Sequence, residues 1–406
     1  MKKTITILMV VLAAASLFAL DNFTYKSTSF SFRPSEVRSE GMGRATLAVP
    51  GKMEAFYSNP AALTDRKFGL EFPSVTLTMY NVSEILSDKN IDWKHITEKE
   101  NLIQLGTDII NSLGKGRNEV LTADIALGLK FMQVGFATNV HIGVHAFRPT
   151  TQTADQMVIP EVDIAQSVAL GLAILETTHL KLDVGISGHF VFKTYMLAQN
   201  ANNIINKASG DSGFKEYITN TPFMGGYAIP FDFGATLTAF DSLKISATVN
   251  NINGNYKMNA YGSALGMVEK LTGKQIDVGE DYNKEYLDES IKIETPTTVN
   301  LAFALNPDVK ILDPCLEIDF VDIAGLVKDF NSKNLLKHMN IGGELHVTPV
   351  LALRAGANAG NLSFGAQLNL FAFQVDAAYG WMELGEEWGD KRTDYATIRI
   401  NIGSDK

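Results

Sequence analysis

Residues Leu362–Trp381 read LSFGAQLNLFAFQVDAAYGW. Leu362, Phe364, Ala366, Leu368 and Leu370 interleave with Ser363, Gly365, Gln367 and Asn369. After Phe371-Ala372, the run Phe373, Val375, Ala377, Tyr379 and Trp381 interleaves with Gln374, Asp376, Ala378 and Gly380. Successive side chains of a strand point to opposite faces, so each run has one apolar face and one small or polar face. The same alternation recurs at Leu243–Asn250 and at Ala396–Ile402. Extended over the chain it predicts about fourteen strands, near 67–80, 121–131, 133–148, 160–175, 179–196, 227–239, 242–250, 294–306, 313–323, 338–347, 350–357, 361–370, 373–384 and 392–403.

A soluble β-sandwich alternates too, and the connections separate the two cases. Those after the second, fourth, sixth, tenth and twelfth strands are a few residues each, such as Phe240-Asp241-Ser242 and Pro349, whereas those after the first, third and fifth through ninth are mostly long. Alternate connections of an up-and-down sheet lie at opposite ends, so one end is trimmed and the other elaborated. That asymmetry predicts an all-β fold, a transmembrane antiparallel β-barrel with short periplasmic turns and long external loops. Closure removes the unpaired strand edges that lipid does not tolerate. The polar face then turns to the lumen and carries Lys181, Asp183, Lys244, Asn300, Glu317, Asp319, Glu344, Arg354, Gln374, Asp376 and Arg399. A register slip of one residue reverses that assignment.

Composition agrees with this class. Hydrophobic residues make up 46% of the chain, yet after the N-terminus no window approaches a spanning helix. Lys2 and Lys3 precede an apolar run from Ile5 to Leu20 with small residues at its end, the layout of a cleaved secretory signal over residues 1–20. The 35 basic and 45 acidic residues leave a net charge of −10, or −12 without Lys2 and Lys3, which gives no electrostatic reason to bind nucleic acid. Cys315 is the one cysteine, so no internal disulfide and no cysteine-based zinc site can form.

Three connections are long enough for structure of their own: 82–114, with apolar residues mainly at helical spacing; 198–225, with an Asn-rich helical turn around Ile204 and Ile205; and 251–294. The last contains an amphipathic candidate at Leu265, Val268 and Leu271, external hydrophobic positions that could collect an apolar ligand. Its acidic tract DVGEDYNKEYLDES fails the spacing of a calcium loop, and no metal site or cofactor motif is read. An outer-membrane enzyme is the competing class. The chain has no Gly-x-Ser-x-Gly elbow and no His-Glu-x-x-His pair, and His141 and His145, four apart in a strand, sit roughly 13 Å apart along it, too far to share a metal.

The stretch least like a strand lies before the first one. Ser39–Leu63 contains Gly41-Met42-Gly43-Arg44-Ala45 and, after a variable segment, Asn59-Pro60-Ala61. Glycines suit backbone that passes a wall closely, and Asn-Pro fixes a turn without a donor at Pro60. Together these residues resemble the N-terminal hatch of the FadL family of outer-membrane transporters for long-chain fatty acids and other hydrophobic compounds. The resemblance implies a hatch over 21–66 plugging a fourteen-stranded barrel over 67–406, with enlarged helical third and fourth external loops. It implies a non-enzymatic channel for passive uptake of hydrophobic small molecules such as fatty acids, gated by Gly41, Gly43, Arg44, Asn59, Pro60 and Ala61. Phe23 and Tyr25, with Phe30 and Phe32, line the pocket or pack the plug. Outer-membrane lipid and the barrel assembly machinery are the implied partners. The same signature resembles PorV-type barrels, partners in protein secretion or surface attachment, which stand as the alternative function.

Overall fold

The computed structural model describes residues 32–34, 36–51, 53–65, 68–87, 109, 113, 116–148, 157–196, 199–200, 219–277, 281–309, 312–370, 373–385 and 389–405. Fourteen antiparallel staves close into a barrel. They are β1 (Phe68–Tyr80), β2 (Gly116–Phe131), β3 (Val134–Arg148), β4 (Met157–Glu176) and β5 (Leu180–Met196). Three interrupted staves follow: β6 (Phe223–Ala228 and Phe231–Ala239), β7 (Leu243–Ile252 and Tyr256–Tyr261) and β8 (Tyr286–Ile293 and Thr298–Leu305). The remainder are β9 (Cys315–Phe320), β10 (Met339–Thr348), β11 (Leu351–Asn358), β12 (Asn361–Leu370), β13 (Phe373–Glu383) and β14 (Arg392–Asp405). Each pairs with its neighbours, and β1 pairs with β14 as well as β2, which closes the ring. A two-residue pairing, Gln199–Asn200 against β4, lies outside this count.

The interruptions explain where the expected strands fall short. The segment 251–294, read as one loop, is partly strand: pairing resumes at Tyr256–Tyr261 and Tyr286–Ile293, leaving the connection 262–285. Asn251 and Asn253 at φ 62° and Pro296 look like loop punctuation, but they bend staves rather than end them. Asn251 ties the bends together: its amide donates to Thr295 Oγ1 at 2.8 Å and to the Pro296 carbonyl at 3.0 Å. The parity of the connections also has two exceptions. The eleventh, Ala359-Gly360, is a two-residue turn at the elaborated end with both φ positive, and the eighth, 306–314, is longer than its neighbours at the trimmed end.

Outward positions form an apolar belt. Leu127, Leu129 and Phe131 on β2, Val168 and Leu172 on β4, Leu362, Phe364 and Leu368 on β12, and Ile398 and Ile400 on β14 are all exposed. Around the ring, residues of the opposite parity are buried in the lumen, among them Asp183, Asn300, Glu317, Asp319, Arg354, Asp376 and Arg399. An exposed apolar surface of this extent belongs in hydrocarbon. No helix among the described residues is long and apolar enough to cross a membrane.

At the elaborated end, α2 (Val82–Ser87) opens the first long connection, and α3 (Ala264–Thr272) lies in the fourth. The pair α4 (Ile323–Lys328) and α5 (Ser332–Lys337) lies in the fifth. Ser263 caps α3 by accepting from Gly266 N at 2.9 Å, and Gly273 ends it at φ 68°. The helical turn expected around Ile204 and Ile205 and most of 82–114 lie outside the described residues.

Candidate functional site in the barrel lumen

Residues 36–65 lie inside the barrel. They comprise α1 (Val37–Gly41), a 3-10 turn at Glu54–Phe56 and a second at Pro60–Thr64. Val37, Met42, Ala48, Phe56, Ser58, Asn59 and Ala61 have no solvent exposure at all. A segment with so little regular structure buries many backbone amides, and each must find a partner.

Side chains of the wall supply several of those partners. On β9, Asp319 accepts from the amides of Thr46 and Leu47 at 2.9 and 3.1 Å, and Glu317 accepts from those of Ala48 and Val49. Two lumen carboxylates thus hold four successive N–H groups of the plug. Asn59 works in reverse: its side-chain amide donates to the Leu47 carbonyl at 2.7 Å and to Thr236 Oγ1 at 3.0 Å, while its Oδ1 accepts from Ala61 N at 3.1 Å. Pro60, first residue of the turn, has no amide to satisfy.

Where the plug touches the wall most closely, the wall residue is glycine. A Cβ on Gly185 of β5 would lie 2.2 Å from the Pro60 carbonyl carbon, and one on Gly234 of β6 would lie 2.1 Å from Asn59 Oδ1. At the other half of the plug, a Cβ on Gly356 of β11 would meet the Met42 carbonyl carbon at 2.2 Å. Gly43 needs its freedom twice over: its φ is +60°, and a Cβ there would sit 2.3 Å from Ala357 N. Gly41 lies against Gly365 of β12.

Around α1 the contacts are ionic. Arg38 meets Glu344 through Nε and Nη2, each at 3.1 Å, and its Nη1 donates to the Val49 carbonyl at 2.7 Å. Glu344 also pairs with Arg354, which reaches Asp376 at 2.9 Å. Asp376 and Glu36 of the plug both pair with Arg399, the latter at 2.6 Å. Arg354 and Asp376 are 1% and 0% exposed, so each charge depends on its partners for solvation. Arg44, at φ 61°, pairs with Glu40 at 3.0 Å, and its carbonyl accepts from Asn340. At the plug's end Asp65 bridges Lys244 at 2.6 Å and Lys181 at 3.2 Å. Burial pushes the Asp65 carboxyl up, but the two ammonium groups outweigh it and hold the pKa below the ordinary aspartate value.

Further toward the elaborated end, Tyr57 stacks on His189 with ring centres 4.8 Å apart and meets Phe32 edge-on. Its hydroxyl lies 2.8 Å from Ser167 Oγ, which lies 2.8 Å from His189 Nδ1, while His189 Nε2 reaches Asp232 at 3.1 Å. Beyond this level the wall of β4 to β8 carries an apolar cluster that includes Met157, Ile159, Tyr195, Met224, Tyr256 and Met258, with Phe32 packed against it. His141 is taken by Asp124 at 2.7 Å, and His145 by Glu119 and by Glu161 at 2.8 Å. Both imidazoles lean over Gly143, closer together than their spacing along the strand suggests. No group of three or more His, Cys, Asp or Glu among the described residues could hold a metal ion.

The structure therefore brings Gly41, Gly43 and Arg44 against β10 to β12, and Asn59, Pro60 and Ala61 against β5 and β6. Leu265, Val268 and Leu271 do not join them: they lie on α3, Leu265 half-buried and the other two 37% and 55% exposed. Phe23, Tyr25 and Phe30 lie outside the described residues. Sequence reasoning missed the wall glycines and the row of charges on β2 to β5. The glycines were detectable, since Gly185, Gly234 and Gly356 occupy lumen-parity positions inside otherwise strong strands, where glycine marks a close backbone approach.

No known family pattern and no curated protein matches the chain. Among solved structures it is similar to the CymD monoaromatic hydrocarbon channel, at 10% identity and a TM-score of 0.47 over 93% of this chain and 99% of that one. It is also similar to a Pseudomonas aeruginosa FadL homologue, at 12% and 0.45 over 92% and 98%. The Ralstonia pickettii toluene transporter TbuX gives 11% and 0.41 over 91% and 97%. At such distances the architecture rests on the strand pairing and plug contacts of the chain itself.

Proposed function

We propose that this chain is a plugged channel of the outer membrane of a diderm bacterium, admitting hydrophobic small molecules by diffusion, with residues 36–65 as the gate. The observation that supports this reading is a plug seated within a lipid-facing barrel beneath an apolar cluster of the lumen wall, whose Met, Ile and Tyr side chains are buried with the plug in place. A structural filler needs no such patch on its outer side. The permeant lands on the elaborated end, where Val268 and Leu271 are exposed, crosses the patch around Tyr195 and Tyr256, and leaves when the plug shifts. Long-chain fatty acids are the permeants that the hatch resemblance implies. Residues 1–20 are the export signal, and the barrel assembly machinery inserts the mature chain.

Uptake of labelled oleate and labelled toluene into proteoliposomes tests this, with wild type and Pro60→Ala side by side. Wild type is expected to exceed empty vesicles, and Pro60→Ala, with a loosened turn, to exceed wild type. Flux of neither tracer above empty vesicles from either protein sinks the channel reading.

One observation favours the alternative, a PorV-type partner in protein secretion or surface attachment. The α4–α5 hairpin exposes Val327 and Phe330 at 69% and 71%, and Asn334 stiffens it by donating to the carbonyls of Gly325 and Asp329. Removing both apolar side chains leaves uptake unchanged if the channel reading holds.

A further inference from the structure

We infer that the lumen wall just outside the plug favours hydrophobic molecules that carry a hydrogen-bond donor, an amine or a hydroxyl, over carboxylates. The inference rests on the channel reading and ranks its permeants, placing oleate and other fatty acids below amines and alcohols of the same length. On β2 to β5, lumen-facing residues in register run Asp124, His141, Asp163 and Lys193, acid alternating with base. Lys193 lies beside the apolar cluster, with its ammonium 5.1 Å from the Tyr195 ring centre and 5.6 Å from that of Tyr256. It is the group that a bound carboxylate needs. Its ammonium is already consumed by two carboxylates, Asp163 at 2.5 Å and Glu161.

Around this row the carboxylate and amide oxygens left without a partner are acceptors. Asp163 Oδ1, Asp124 Oδ2 and Asn139 Oδ1 are buried without a hydrogen-bond partner, on residues 2%, 3% and 1% exposed. A buried acceptor left unpaired is costly, and a ligand N–H or O–H relieves that cost where another oxygen anion adds to it. Charge points the same way. Four carboxylates, Glu119, Asp124, Glu161 and Asp163, face two permanent cations, Arg117 and Lys193, and protonation of His141 and His145 brings the sum only to zero. A carboxylate entering here meets no net positive charge, while the adjacent Met and Tyr side chains accept an alkyl or aromatic body.

The test uses three labelled compounds of equal chain length, decylamine, decanol and decanoate, with binding to the detergent-solubilised full-length barrel measured by equilibrium dialysis. Decylamine and decanol are expected to bind about tenfold or more tighter than decanoate, because the like charges are desolvated. Asp163→Asn is expected to narrow that gap by strengthening decanoate, with Glu161→Gln as the parallel variant if the first does not fold. Decanoate binding tightest to wild type overturns this inference and leaves the channel reading standing. Failure of all three to bind, together with absent tracer uptake, overturns both.

Discussion

Around Asn59 the plug meets the barrel backbone to backbone, whereas around Arg38 it meets the barrel charge to charge. On the β5–β6 side, Gly185 and Gly234 remove side chains so that Pro60 and Asn59 can press into the wall, and the polar contacts of Asn59 itself are neutral. On the β10–β14 side, Arg38 and Glu36 join a buried network through Glu344, Arg354, Asp376 and Arg399. The first attachment is a matter of shape and fails if anything is added. The second is a matter of compensation and fails if anything is removed.

Breaking the network is expected to have the largest effect. Arg354→Met takes from the buried Glu344 and Asp376 one of the two cations that each pairs with, leaving Arg38 and Arg399 to compensate them alone, and costs about 3 kcal/mol, the low end for breaking a buried pair, read as a lowered midpoint of denaturant unfolding of the reconstituted barrel. An unchanged midpoint would show that water reaches these charges. Filling a socket comes next: Gly185→Val overpacks the contact with Pro60 at a cost of about 1–3 kcal/mol. The barrel ring does not depend on that contact, so the cost falls on the plug, and single-channel recordings in a planar bilayer are expected to gain open events that wild type lacks. Recordings identical to wild type would mean that the plug stays seated by its ionic half alone.

The smallest effect sits at the mouth, where Asp65 is 34% exposed. Asp65→Asn is expected to cost less than about 1 kcal/mol. Because the folded pKa of Asp65 lies below its unfolded value, the clamp's contribution is complete above about pH 4 and is lost as pH falls through the folded value. Hydrogen exchange at residues 61–65 therefore stays flat from pH 8 to 5, after correction for intrinsic rates, and rises at lower pH in wild type but not in Asp65→Asn.

Most of the barrel was legible because a period of two runs through most of each stave, broken only locally by register shifts such as those at Glu71–Ser74 and Ala173–Leu175, and because lipid on one side and a crowded lumen on the other enforce it. Gln374, Asp376 and Arg399 could be assigned to the lumen from parity alone, and Asp376 and Arg399 are buried there. The bends at Asn251–Asn255 and Pro296 were not legible as bends, since the same residues end strands elsewhere, and only the resumed pairing distinguishes the two. The plug's position was suggested by its glycines and its Asn-Pro step. Its chemistry was not, because whether Glu317 would hold a cation or a row of amides depends on which segment lies opposite, 268 positions away for Val49.

The pairing of β1 with β14 carries a consequence for biogenesis. Thr78 and Thr397 touch across that seam although 319 positions separate them, so the ring cannot close until the last residues of the chain have been delivered. The plug precedes β1 and ends up surrounded on all sides. It must therefore be in place before the seam zips shut, or pass afterwards through a mouth lined with its own sockets. A chain truncated within Arg392–Asp405 is left with an open edge on β1 and an unenclosed plug, and is expected to be degraded rather than to accumulate as a weakened barrel.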